Sequence, residues 1–228
     1  MRFIKSLSII FLVSLLGMSG TSASAASFDC KKASTKIEHA ICNDPELSKL
    51  DQEIAAAFKS LKIDGRYYEE IVEAQRTWIN SEREESAYNF EQQRDFLLIG
   101  SALNSCSIDM EVEFSVCEAD ANIALESCMA LENYTTLVMN RCGGSYLKAL
   151  KIVDRVETNI WRTAHDDDQE TLVLFDKAYS IWKDFLDADC AWQYSEYRDG
   201  TIRGQIWLGC TTGYYTSRIM KLNLENKF

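Results

Sequence analysis

The chain has 228 residues, 46% of them hydrophobic, and carries 24 basic against 35 acidic side chains, a formal net charge of −11. A surface that acidic repels nucleic acid and anionic lipid and favours encounter with basic partners. One proline and ten glycines leave too few turn residues for a strand-rich fold, so the sequence reads as all-α.

Residues 1–25 have the form of a secretory signal peptide. Arg2 and Lys5 supply a positive start, Ile9 to Leu16 an apolar stretch, and Ala23-Ser24-Ala25 a small-residue cleavage site. Cleavage after Ala25 leaves 203 residues with 22 basic and 35 acidic side chains, a net charge of −13. That length suits two modules of about 100 residues each. No later stretch reaches the roughly 20 apolar residues of a membrane span. The expectation is a periplasmic or secreted protein with no membrane insertion after signal cleavage.

Thr35-Lys36-Ile37-Glu38 has the form of a capping box and opens a short helix ending near Cys42. Asp44-Pro45 is a helix start, with an N-cap followed by proline at the first helical position. Leu47, Leu50, Ile54, Phe58 and Leu61 then recur at steps of three and four. Asp64-Gly65 breaks that stripe, and a second long helix carries Ile71, Gln75, Trp78, Ile79 and Glu82 on one side. The two form an expected helical hairpin. Residues 105 to 127 read as a mixed segment.

The plan then repeats. A short helix is expected from about Thr136 to Cys142, stopped by Gly143-Gly144. A long helix carries Leu147, Leu150, Val153, Val156 and Ile160, and His165-Asp166-Asp167-Asp168 makes a turn whose aspartates cap the next helix. That helix carries Leu172, Phe175, Tyr179, Trp182, Phe185 and Cys190. Asp199-Gly200 marks a loop, and a last helix runs from about Gln205 to Leu224.

The repeat has a measurable spacing. Trp78 and Trp182 are 104 positions apart, as are Cys106 and Cys210, while Cys30 and Cys42 answer to Cys128 and Cys142. A shared long offset implies two copies of one module. The resulting division is signal peptide 1–25, first module 26–110, connecting segment 111–127 and second module 128–228. All eight cysteines fall after the signal peptide, and an even number in an oxidising compartment implies disulfides. The repeat suggests Cys30–Cys42, Cys128–Cys142 and Cys190–Cys210. Ser86 stands at the position equivalent to Cys190, which leaves Cys106 to pair with Cys117 by elimination.

No catalytic, cofactor-binding or metal-ligating constellation is legible. His39 and His165 lie in different copies, without metal-ligand spacing, and residues 165–168 lack the alternating acids and glycine of a calcium loop. A serine nucleophile elbow is absent as well, so the chain does not read as an enzyme. Trp78 and Trp182 read as core residues. For recognition the segment closed by Cys190 and Cys210 stands out. Tyr197, Arg198, Asp199, Arg203 and Trp207 are its candidate partner-binding residues, with Trp192 and Tyr194 beside them. Tyr, Trp and Arg dominate binding energy at many interfaces, although the same aromatics suit packing between two helices.

Several motifs, taken in order, resemble the lysozyme inhibitor LprI-like N-terminal domain family. They begin with Phe28-Asp29-Cys30-Lys31-Lys32-Ala33-Ser34-Thr35, Glu38-His39-Ala40-Ile41-Cys42 and Asp44-Pro45-Glu46-Leu47. Leu50-Asp51, Ala55-Ala56-Ala57-Phe58 and Ala74-Gln75-Arg76-Thr77-Trp78 continue the series. In the second copy, Met139-Asn140-Arg141-Cys142, Trp182, Asp189-Cys190, Asp199-Gly200-Thr201-Ile202 and Leu208-Gly209-Cys210 are similar to the family's remaining hallmarks. Ser86 and the stretch from Leu172 to Tyr179 depart from it.

The resemblance implies two tandem disulfide-stapled helical-hairpin modules that need no cofactor. It further implies an exported inhibitor whose protein partner is a lysozyme-type peptidoglycan hydrolase, a basic lysozyme being the electrostatic match. A periplasmic helical adaptor that binds another envelope protein is the alternative.

Overall fold

The computed structural model describes residues 26–105, 114–131, 133–198 and 200–225. The signal-peptide assignment, Cys106 of the expected Cys106–Cys117 pair, and Asp199 lie outside the described residues. Among those residues there is no β-strand; eight α-helices carry the fold.

The first helices form where local chemistry dictates. Thr35 accepts the Glu38 N–H while the Glu38 carboxylate receives the Thr35 N–H, closing a capping box over α1 (Lys36–Asn43). Asp44 accepts the Glu46 and Leu47 N–H groups at the start of α2 (Pro45–Lys59). The Cys30–Cys42 disulfide, with a Cα–Cα distance of 5.8 Å, ties the preceding 3-10 turn to α1. After a loop, α3 (Tyr68–Thr77) runs into a single π-helical turn, Trp78–Glu82. The second helix is therefore shorter than its apolar spacing suggested and changes geometry at the tryptophan itself.

Ser86 then N-caps α4 (Ala87–Leu103), and α5 (Phe114–Ala130) follows. On α5 the buried Phe114, Cys117, Ala121 and Cys128 share one face, which the exposed Val116 and Ile123 blur in the sequence, and α4 carries no legible stripe. Phe90, Phe96, Leu97, Ile99 and Leu103 are all fully buried, because α4 touches α2, α5 and α6 at once. A helix covered on several sides shows no single apolar face. The segment read as mixed is helical from Phe114, and α2 packs most closely on α4 rather than on α3.

The expected break at Gly143-Gly144 does not occur. One helix, α6 (Thr136–Ala164), runs through both glycines. A Cβ on Gly143 would lie 3.1 Å from Leu208 Cδ1, so the missing side chain lets α8 (Arg203–Glu225) come close. That approach offsets the roughly 0.5–1 kcal/mol that a mid-helix glycine costs. In the first half Pro45 sits where α1 and α2 divide; no proline interrupts α6.

Helices α4 and α6 form the centre of the molecule. Arg141 of α6 and Asp95 of α4 are each about 1% exposed and hydrogen-bonded at 2.9 Å, with Glu91 also paired to Arg141. Arg94 extends this network from Asp95 to Glu53 of α2, both at 2.9 Å. A second tie lies further along α6, where Arg66 donates to both oxygens of the buried Glu157, at 2.6 and 2.7 Å. The Tyr67 hydroxyl adds a third bond to that carboxylate at 2.9 Å, and burial pushes the phenol's pKa well up.

Helix α7 (Gln169–Glu196) is the outermost element and packs on α8. Asp168 caps it by accepting the Thr171 N–H at 3.0 Å, as the aspartate turn suggested. The Cys190–Cys210 disulfide fixes α7 to α8, and Cys128–Cys142 fixes α5 to α6.

Candidate functional site

The candidate recognition residues gather at the end of α7, the turn after it and the start of α8. Cys190 and Cys210, 5.6 Å apart at Cα, clamp the two helices just below that end. Asp189 reinforces the clamp by accepting the Tyr214 hydroxyl and Gln193 Nε2, both at 2.9 Å. The Asp189 contact lifts the Tyr214 phenol above its ordinary pKa. The segment is thus two helix ends and a short turn held on a rigid base.

The expected residues divide by exposure. Tyr197 is 45% exposed and Arg198 is exposed, with no ion pair to its guanidinium among the described residues. Arg203 is half-buried, its guanidinium 4.1 Å from the centre of the Tyr194 ring and bonded to the Arg198 carbonyl at 3.0 Å. Among the described residues its Nε is buried without a partner, as are Asn140 Oδ1 on α6 and Gln205 Oε1 on α8. Trp207 is half-buried and packs against the core. Ser195, Glu196, Tyr197, Arg198 and Gly200 line a shallow, open depression of about 430 Å³.

The sequence reading missed a feature that continues from this end. Leu174, Ala178, Ile181, Phe185, Ala188 and Trp192 follow one another at steps of four, three, four, three and four along α7. All six are exposed, and the four large ones are each 57–60% exposed. A strict 3.5-residue period is the seam by which one helix packs on another. The signal was present in the sequence, but only Phe185 of the six was read into the pattern of this helix, in one apolar set with Phe175, Tyr179 and Trp182. Those three lie on the other side, around Arg218, whose guanidinium carbon is 5.4, 4.4 and 5.0 Å from their ring centres. Arg218 also pairs with Asp154 at 3.0 Å; burial raises the Asp154 pKa, and the arginine opposes the shift.

The remaining candidates are structural. Trp78 is 3% exposed, stacks edge-on against Phe90 at 5.2 Å and donates to Asn89 Oδ1 at 3.0 Å. Gln75 accepts from Gln93 at 2.6 Å, tying α3 to α4, whereas Arg76 pairs locally with Glu73. His39 is exposed, and the His165 ring lies 4.1 Å from that of Trp161, with Nδ1 at 2.8 Å from the Trp161 carbonyl. Among the described residues, Asp95 approaches Cys128 and Cys142 closely enough to suggest a metal site. Those two sulfurs are joined to each other, so no thiolate is offered.

The three described disulfides fit an oxidising compartment. No described helix is long and apolar enough to cross a membrane. Comparison with curated proteins and with solved structures gives no match. Residues 29–114 match the family described as Lysozyme inhibitor LprI, and this match does not show a second tandem copy.

Proposed function

We propose that this is an exported protein that binds and inhibits a lysozyme-type peptidoglycan hydrolase. The observation that carries the reading is the family match over residues 29–114. Physical chemistry supports it. Lysozymes work with two carboxylates in a sugar-binding cleft. The net charge of −13 left after signal cleavage steers this protein toward a basic enzyme, and Arg198, without an ion pair among the described residues, suits insertion between those carboxylates at a stapled helical end. In this reading Tyr197, Arg198, Asp199, Arg203 and Trp207 form the contact. The second half, residues 128–228, is a diverged copy of the first that specialised in recognition, joined to it through residues 111–127.

A cell-wall turbidity assay against several lysozyme types tests the function. The oxidised protein is expected to inhibit saturably and the reduced protein to lose that effect. Arg198→Ala together with Arg203→Ala is expected to raise the inhibition constant at least tenfold, and undiminished potency would overturn the arginine contact.

A second reading is favoured by the exposed seam of α7: a periplasmic adaptor that binds another envelope protein without affecting lysozyme. Failure to inhibit any lysozyme, with recovery of a stoichiometric helical partner from envelope extract, selects it.

A further inference from the structure

A groove of about 570 Å³ runs between α2 and α3, within the size range of small-molecule sites. Its apolar walls are Ile54 and Phe58 of α2, Tyr68 and Val72 of α3, and Trp78 and Ile79 of the π turn. Single π turns recur at functional sites. Here the residue that follows is Arg83, which lines the same groove with its guanidinium carbon 5.8 Å from the centre of the Trp78 ring.

Arg83 differs from the other charged groups of the groove. Asp51 accepts the Ser27 N–H at 2.7 Å, and Arg76 is paired with Glu73 at 3.3 Å. No carboxylate among the described residues pairs with Arg83, and its Nε is buried without any acceptor. Leaving such a group unsatisfied is costly, and native structures rarely do so without a reason. A half-buried guanidinium beside an aromatic wall offers a forked donor for a carboxylate and an apolar bed for whatever the carboxylate is attached to.

We infer that this groove binds a small ligand in which an apolar or aromatic body carries a carboxylate, with Arg83 as the partner of the carboxylate. The inference does not depend on the lysozyme reading, since the groove lies on the first half and the arginine contact on the second.

Calorimetric titration of the oxidised protein with 1-naphthylacetate and with 1-naphthylmethylamine tests the inference. The two probes share a body and differ in charge. The carboxylate is expected to saturate with a Kd of about 1 mM or tighter, and the amine to bind at least ~10-fold more weakly. In ¹⁵N–¹H spectra the Trp78 indole N–H signal moves with the carboxylate. Arg83→Gln brings the carboxylate down to the level of the amine, Arg83→Lys retains part of the preference, and Phe58→Ala weakens both probes alike. Absence of saturation by the carboxylate, equal affinity for the amine, or shifts that avoid the groove each overturn the inference. An Arg83→Gln variant that folds and keeps full carboxylate affinity does so too. Should that variant not fold, the contrast between probes and the Trp78 shift in the unmodified protein decide the matter.

Discussion

Arg141 and Asp95, 46 positions apart in the chain, meet at 2.9 Å in the centre of the molecule with each side chain about 1% exposed. They join α6 to α4, and so join the half of the chain that matches the LprI family to the half that does not. Breaking a buried pair by removing one partner strands the other charge away from water. Arg141→Met is therefore expected to destabilise the protein by about 3–5 kcal/mol, measured by urea unfolding of the oxidised protein. Replacing both residues by apolar ones should cost much less than Arg141→Met alone. A single-variant loss below about 1 kcal/mol would show that the pair is not the tie between the halves.

The loop at Gly65 is closed by a side chain from the far end of α4. Asn104, fully buried, accepts the Tyr67 N–H at 3.0 Å and donates to the Lys62 carbonyl at 2.8 Å. A Cβ on Gly65 would fall 2.2 Å from Asn104 Nδ2, a separation no packing tolerates. Gly65→Ala is expected to lower stability by about 1–3 kcal/mol. Thermal melting against the unmodified protein reads this directly, and an unchanged melting temperature would mean that Asn104 moves aside freely.

Backbone N–H groups of Ser34 and Thr35 hold the Glu38 carboxyl down to about 2 from its ordinary 4.5. A depressed folded-state pKa contributes stability above the unfolded value and loses it as pH falls through the folded one. The difference in melting temperature between the unmodified protein and Glu38→Gln should thus be full above pH 4.5 and vanish near pH 2. A gap independent of pH across that window would assign the loss to helix packing instead.

Ile181 and Phe185, 58% and 57% exposed on the α7 seam, are expected to tolerate charge. The double variant Ile181→Glu plus Phe185→Glu should change stability by no more than about 0.5 kcal/mol per site, as surface substitutions do. In the adaptor reading, capture of an envelope partner through the seam should be lost; in the inhibitor reading, lysozyme inhibition through Arg198 and Arg203 should persist. Loss of lysozyme inhibition in this variant would merge the seam and the arginine end into one binding surface.

Much of this protein was legible in the sequence because its cause was local. The Thr35–Glu38 capping box, the Asp44-Pro45 start and the Asp168 cap each rest on atoms within a few residues of one another. The cysteine spacing and the absence of strand-forming punctuation pointed equally to a stapled all-α chain. Helix α4 was not legible, because burial on several sides erases the one-faced pattern that announces a helix, and on α5 the exposed Val116 and Ile123 blur the face of Phe114, Cys117 and Ala121. Gly143 misled for a related reason: its smallness serves contact with Leu208, 65 positions away, rather than a break in the helix.

At the candidate site the sequence determined composition, and the tertiary structure decided access. Tyr197, Arg198, Arg203 and Trp207 are all aromatic or cationic, yet Arg198 is exposed while Arg203 lies on Tyr194 and Trp207 leans on the core. The same holds for Arg83, an ordinary arginine in the sequence that the fold leaves beside Trp78 with no paired carboxylate among the described residues. Helix caps, stripes and cysteine spacings are encoded by neighbours along the chain. Which charges meet a partner, and which are left for another molecule, depends on how α2, α3, α4 and α6 come together.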